Sequence, residues 1–392
     1  MFSYDAIVLG AGLSGAVMAQ RLASLAGWRV LILEQRDHLA GNCHDESNSD
    51  GILIHRYGPH IFHTDKAEVW DYLSGFTDWI PYEHRVHGRI DGKLVPLPFN
   101  LNSIDALFPP DQAQQYSQLL LQEYGAEARV PILLLRQNAD ALLRQLADYV
   151  YDKVFRGYSL KQWGIDPDQL DPEVTGRVPV LVSRDNRYFQ DPYQAIPAEG
   201  YTRMVERIVD HPLIEVRLGT PMRRHLQLNP HGTGFLFDGM PFTGQVIYTG
   251  MIDALFGFEF GALPYRSLRF ELEQVSGPWQ PVATVNYPNE HDFTRITEFG
   301  HFVGKANGPD VIMREFPMAY DVDSNDSSMP YYPLFTQANQ ALFERYKQHA
   351  AGIANLTLLG RLAEYKYYDM DDAVYKAMQM AAEVSEWSPT QA

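Results

Sequence analysis

The stretch "DAIVLGAGLSG", Asp5 to Gly15, decides the fold. The apolar run Ala6 to Leu9 leads directly into Gly10, Gly12 and Gly15, spaced G-x-G-x-x-G, and a helical pattern follows to about Ala26. A first glycine in this position allows a tight turn, a second lets backbone approach a pyrophosphate, and a third lets the helix pack closely. The phosphate then rests at a helix N-terminus, where unpaired N–H groups and the helix dipole favour an anion. The next apolar run, "WRVLILE", ends on Glu34, 19 residues past Gly15, where a carboxylate can accept both hydroxyls of a ribose. Strand, glycine turn, helix and strand together predict a βαβ dinucleotide-binding unit.

Two later stretches repeat the theme. "QVIYTG" (Gln245 to Gly250) is a short apolar strand running into glycine, and "LTLLGRL" (Leu356 to Leu362) precedes the helical "MDDAVYKAMQMAAEVSEW". A nucleotide-binding pattern that opens the chain, recurs mid-chain and returns at its end implies a discontinuous domain, over residues 1–80, 197–255 and 334–392. Between its pieces, "YEHRVHGRIDGKLVPLPF" alternates with period two around Asp91-Gly92, a hairpin signal. Helical periodicity dominates from about Ser103 to Phe155, and β-like runs fill Ser267 to Pro333. The expected fold is mixed α/β: a Rossmann-like dinucleotide-binding domain, a helical insertion over 100–182, and an antiparallel sheet over 81–99, 183–196 and 256–333. "VFRGYSLKQWGIDPDQLDPEVTGRVP" (Val154 to Pro179) shows no clean period, and its glycines and prolines suit a mobile lid at 156–178.

Flavin rather than nicotinamide is the expected dinucleotide, because two separate elements agree. "EQRDHLAGN" resembles the extension of FAD enzymes in which an Arg and a Gly-rich turn follow the ribose acid, with Ala40 standing where a second Gly often sits. "LTLLGRLAEYKYYDMDDAV" resembles their second flavin-binding element, whose helix dipole favours negative charge on a reduced flavin.

Composition narrows the partners. A formal net charge of -17 argues against nucleic-acid or anionic-membrane binding, so cations for an anionic substrate must be concentrated locally. The single cysteine, Cys43, excludes an intrachain disulfide and fits a reducing compartment. With no secretory pattern and no run of 18 apolar residues, the expected location is the cytoplasm. His60 and His63 lack a carboxylate or cysteine at ligand spacing, so no metal is expected.

Longer motifs carry a specific resemblance. "YGPHIFHT" (Tyr57 to Thr64), "FRGYSLKQWG" (Phe155 to Gly164), "GRVPV" (Gly176 to Val180), "RDNRYFQDPYQAIPAEGYT" and "GRLAEYKYYDMD" resemble the bacterial UDP-galactopyranose mutase family, in the family's order and over essentially the whole chain. The resemblance implies interconversion of UDP-galactopyranose and UDP-galactofuranose with no net redox change, active with reduced FAD, through a covalent flavin N5–sugar adduct. NAD(P)H is then the external reductant, and a homodimer or higher homo-oligomer is expected. The cofactor as nucleophile accounts for the lack of a Ser-His or Cys-His arrangement.

By matching positions, Phe155, Tyr158, Ser159 and Trp163 would surround uridine, with Tyr158 stacked on uracil. Arg177 and Arg295 would hold the diphosphate, since guanidinium forks bind phosphate bidentately. Tyr188, Tyr332 and Tyr367 would complete that site, Tyr331 being the alternative to Tyr332. Asn286 would lie near the nucleotide, and Glu315 near the sugar. The carbonyl of His60 would face flavin N5 and its ring the sugar, while His84 stands where many relatives have Asn. For the cofactor the resemblance adds Ser14, Gly41, Asn42, Val216, Arg361, Asp369 and Met370 to the glycines and Glu34. Rival readings keep the chemistry on UDP-N-acetylgalactosamine or a dTDP-deoxyhexose, replace it with an amine-oxidase-like FAD oxidoreductase, or leave a silent nucleotide-sugar binder.

Overall fold

A computed structural model describes residues 4–164, 179–305, 307–324 and 328–386. The apolar runs become a five-stranded parallel sheet. β1 (Ala6–Leu9) lies between β2 (Val30–Leu33) and Gln245–Tyr248, with Ile214–Arg217 and Leu356–Leu358 at the edges. Every residue of β1 and β2 is buried, as a parallel sheet covered on both faces requires. Side chains alternate between the two faces. Ala6, Val8, Val30 and Ile32 meet the helices α1 (Leu13–Ala26), Tyr201–Val209 and Met370–Ser385, while Ile7, Leu9, Leu31 and Leu33 meet Phe235, Phe237 and Tyr346. Each such aliphatic side chain removed from water contributes about 2 kcal/mol.

Local signals place α1. It begins after Gly12 and stops at Gly27, whose φ of 67° is the left-handed turn that glycine tolerates best. The helix Tyr201–Val209 is capped from afar. Asp45, buried on another strand, accepts hydrogen bonds from Tyr201 N (2.6 Å) and Thr202 N (2.9 Å). D45A is expected to lower unfolding free energy by about 2 kcal/mol, the upper range for a helix cap, with flavin and substrate residues untouched; a urea midpoint equal to wild type would refute it.

The Asp91-Gly92 hairpin forms as expected, Val86–Ile90 against Lys93–Leu97, with both turn residues at positive φ (46° and 78°). It closes one side of a seven-stranded sheet. From the other edge the order is Tyr332–Pro333, Tyr265–Gly277, Gly308–Ala319, Arg295–Glu298, Thr284–Asn286, then the hairpin. The sheet departs from the antiparallel expectation at one place, where Thr284–Asn286 pairs in parallel with Val86–Ile90. That pairing joins segments remote in sequence, and no local pattern records their relative direction. Tyr193–Pro197 also leaves the expected sheet and pairs with Phe62–Thr64 and Trp79–Pro81 in a three-stranded sheet.

Helices fill the insertion. Leu101–Leu107 carries a capping box from Asn100 and Ser103, and Ala141–Val150 is capped by Asp140. A wide turn over Tyr151–Arg156 then runs into a helix over Gly157–Trp163, where the sequence showed no period. Tertiary contacts impose that helix. Arg266 donates to Gln162 O (2.8 Å) and Lys161 O (3.1 Å), and Lys161 Nζ donates to Tyr287 O (2.8 Å). A side chain at Gly157 would meet Pro288 O at 2.4 Å, so glycine permits the close approach. The first part of the expected lid is therefore helical; its remainder, with Arg177, lies outside the described residues. Among the described residues no helix is long and apolar enough to cross a membrane.

Candidate active site

A cleft of about 1430 Å³ opens beside the Gly157–Trp163 helix. Phe155, Tyr158, Ser159 and Trp163 line it from the helical insertion, Asn286, Arg295 and Tyr332 from the large sheet, and Tyr367 and Asp369 from just before the last helix, with Tyr188 alongside. Strand register explains the sheet's contribution. Asn286 pairs with Arg295, and Arg295 with Glu315, so adjacent strands set three polar residues in one row.

Arg295 Nε donates to Glu315 Oε2 at 2.8 Å, and Glu315 is fully buried. This bond occupies Nε, and among the described residues neither Nη group has a hydrogen-bond partner. Burial works against the guanidinium's charge, but Glu315 more than offsets it and holds the pKa above its usual value. Burial raises Tyr158 and Tyr188, keeping both hydroxyls protonated as neutral donors.

Aromatic packing orders the far wall. Tyr332 and Tyr367 stack with centroids 5.8 Å apart, and Arg361 lies 5.1 and 5.0 Å from their ring centres. Arg361, expected at the cofactor, thus also braces two cleft tyrosines. Tyr332 meets Trp163 edge-on at 6.0 Å, whereas Tyr331 is buried against Phe270.

His60, His84 and Glu315 stand behind the cleft wall rather than on it. The ring of His84 lies 5.7 Å from Tyr188 and 6.0 Å from Phe189. His60 donates from Nδ1 to Gly58 O (2.7 Å), which leaves Nε2 with its lone pair. His63 pairs with Asp191 (2.9 Å) and stacks on Phe189. Among the described residues no group of three or more His, Cys, Asp or Glu is placed to hold a metal ion.

The residues of the Rossmann end fit a dinucleotide. Gly10, at φ 111°, has Thr249 Oγ1 2.2 Å from where a Cβ would stand, and at Gly15 that distance to Gly10 O is 2.0 Å. Gly12 differs: the nearest protein atom is 3.8 Å away, leaving room over the N-terminus of α1, which has no side-chain cap. Glu34 is buried and accepts from Ala11 N (2.7 Å) and Arg36 N (2.8 Å), with acceptor capacity remaining on each oxygen. Arg36 donates through Nη2 to Asn42 (2.9 Å), but Nη1 is buried without a partner among the described residues. A buried donor without a partner beside the glycine turn is one that a bound dinucleotide could satisfy.

Other expected cofactor residues gather nearby. Ala40 adopts φ 70°, the conformation that favours glycine, and leads into Gly41 at φ 57°. Gly360 sits over Ser14, 3.1 Å from its Oγ to a would-be Cβ, so the two flavin-type elements meet. Val216 lies on the strand beside β2, and Met370 Sδ is 3.6 Å from Cys43 Sγ. Asp369 precedes the last helix without capping it and opens onto the cleft. A cofactor laid from Glu34 past Gly12 to Gly360 would therefore reach the cleft. Sequence reasoning missed Lys66, which donates to Asp371 (2.7 Å) and Asp372 (3.0 Å) and ties this helix to the Phe62–Thr64 strand. No local signal marks a pair 305 residues apart.

Burial depresses His55 and His84 to a pKa of about 3, the Arg295 charge adding to the effect at His84. In the unfolded chain both imidazoles take up protons below about pH 6.5, while the folded protein stays neutral there. Stability is therefore complete above that pH and falls as pH drops through 6.5 toward 3. His55 and His84 should together remove about 3 kcal/mol between pH 6.5 and 5, and His60, which burial likewise lowers to about 3, adds to the slope; H84N should reduce the slope, and a urea midpoint flat across that range would contradict the burial of these rings.

Fold and site together define a flavoprotein-type Rossmann enzyme whose cofactor groove ends at an arginine-bearing, aromatic cleft. A family model for UDP-galactopyranose mutase matches residues 153–367, and one for an NAD(P)-binding Rossmann-like domain matches residues 8–76. UDP-galactopyranose mutase of Mycoplasma pneumoniae is 38% identical over 387 residues, 97% of this chain and 96% of that protein. A dTDP-fucopyranose mutase of Escherichia coli is 32% identical over 379 residues, covering 96% and 97%. A crystal structure of reduced UDP-galactopyranose mutase shares the fold, with a TM-score of 0.74 at 16% identity over 98% of this chain and 94% of that one. The chain belongs to the UDP-galactopyranose mutase family of isomerases.

Proposed function

We propose that the protein interconverts UDP-galactopyranose and UDP-galactofuranose with FAD held in its reduced form. One observation carries the reading: Arg295 is kept charged by a buried carboxylate and, among the described residues, has both Nη groups available in an aromatic cleft. In a chain of net charge -17, that is the local cation a nucleoside diphosphate needs. Tyr158 and Trp163 take the base, and Arg295 with Arg177 holds the diphosphate when it leaves and until it returns. Tyr188, Tyr332 and Tyr367 follow it as neutral donors, which can release a phosphate more readily than fixed charges. Glu34, Gly12 and Arg36 hold the dinucleotide, and the aromatic walls exclude water. Bound and reduced, the flavin supplies N5 as nucleophile for the anomeric carbon.

We read the chain as three regions, cofactor-binding, helical and sheet, with NAD(P)H as reductant, assembly through the helical region and a cytoplasmic location. A second reading keeps the chemistry on a dTDP-deoxyhexose, which the E. coli relative favours and which His84, set behind the wall, does not oppose.

The purified protein should convert UDP-galactofuranose to UDP-galactopyranose under nitrogen with dithionite and not without it, as resolved by chromatography. Failure with fully reduced flavin would reject the substrate; turnover of dTDP-fucofuranose instead would select the second reading.

A further inference from the structure

His55 ends the Leu53–His55 strand and is 0% exposed, with no part assigned to it in the reaction. Its ring stacks on Phe302 at 5.4 Å, tilts against Phe299 at 5.7 Å and meets Tyr201 edge-on at 5.7 Å. Nδ1 receives the backbone N–H of His60 at 2.9 Å. An amide only donates, so Nδ1 is the bare nitrogen and Nε2 carries the ring proton. That Nε2–H is buried with no partner among the described residues. An unpaired buried donor costs folding free energy that an apolar side chain in the same aromatic box would not.

Imidazole's retained advantage is what Nδ1 holds. The Gly58–His60 turn is fixed by three polar contacts: His60 N to His55, His60 Nδ1 to Gly58 O at 2.7 Å, and Tyr201 OH to His60 O at 3.2 Å. Its other side abuts the substrate machinery. Gly58, at φ 100°, packs so that a Cβ would lie 3.8 Å from Glu315 Oε2, the oxygen that pairs with Arg295. The turn is thus wedged between His55 and Tyr201 on one side and Phe270 and the arginine's carboxylate on the other.

We propose that His55 is a positioning residue for the reaction, its Nδ1 setting the Gly58–His60 turn and through it His60 and the Glu315–Arg295 pair. The inference rests on the proposed flavin site. It predicts different behaviour from two replacements, because asparagine places Oδ1 near the position of Nδ1 whereas leucine fills the box without an acceptor.

Three readouts on the flavin-loaded protein decide it: the visible spectrum and reduction potential of the flavin, kcat with KM, and the thermal midpoint. H55L should lose about tenfold in kcat with KM nearly unchanged, shift the flavin spectrum and potential, and keep a thermal midpoint close to wild type. H55N should restore the spectrum and most of kcat. Should H55L fail to fold, H55Q takes its place, since its amide reaches past the Nδ1 position. Wild-type spectrum and kcat in the leucine or glutamine variant would overturn the proposal, as would equal losses in H55N, which would reduce His55 to packing. A wild-type protein that holds flavin but turns over no UDP-sugar rejects the substrate reading, and the spectral comparison still tests His55. Wild-type protein without flavin overturns both.

Discussion

R295A is expected to lower turnover by about a thousandfold while flavin remains bound. The guanidinium supplies charge-assisted bonds to a diphosphate that becomes more negative as it departs, so their loss falls on the transition state more than on binding. A loss of about 4 kcal/mol there corresponds to roughly that factor. The same change strands Glu315, fully buried beside it, and breaking a buried pair costs about 3–5 kcal/mol of stability. These two effects separate in the double variant R295M/E315L, which removes the stranded carboxylate: stability should recover and turnover should not. R295K should fall between, because an ammonium keeps the charge but cannot bridge Glu315 and phosphate with a planar fork. Chromatographic assay under dithionite measures all of these, and R295A turnover within tenfold of wild type would sink the assignment.

Substituting Gly12 with valine should empty the protein of flavin without unfolding it. Apart from the adjoining chain, the nearest atom among the described residues to the Cβ that would be added is Gly41 Cα at 3.8 Å, so the strain falls chiefly on whatever approaches the turn from outside, the pyrophosphate. Flavin affinity should drop about a hundredfold or more, since even small displacements forfeit the N–H contacts at the helix end. The urea midpoint should match that of the wild-type apoprotein. G15V provides the contrast: its Cβ would stand 2.0 Å from Gly10 O, prising α1 from β1, and should cost several kcal/mol and the soluble yield. Flavin retained by G12V at normal stoichiometry would mean that the cofactor lies elsewhere.

Much of this site was legible because it depends on chemistry confined to a few consecutive residues. Asp91 and Gly92 make a turn from their own backbone preferences, and Gly10, Gly12 and Gly15 have distinct steric roles within one strand–helix junction. Tyr158 and Trp163 were found through their motif, yet the helix that presents them was not. It owes its form to Arg266 and Lys161, whose partners lie more than a hundred residues away in one or the other direction.

The sequence by itself determined the glycine-rich strand–helix unit, the discontinuous path of the parallel sheet and many of the residues that line the cleft, because periodicity, turn chemistry and motif spacing act along the chain. Tertiary structure alone decided how those residues are held. Asp45 caps a helix 156 residues onward, Thr284–Asn286 runs parallel to Val86–Ile90, Arg361 braces Tyr332 and Tyr367, and His55 takes the amide of His60 inside an aromatic box. Each of these depends on direction and distance between remote segments after the core has closed. A one-dimensional pattern carries residue types and spacings; the bond angles and burial that choose a partner exist only once the segments are packed.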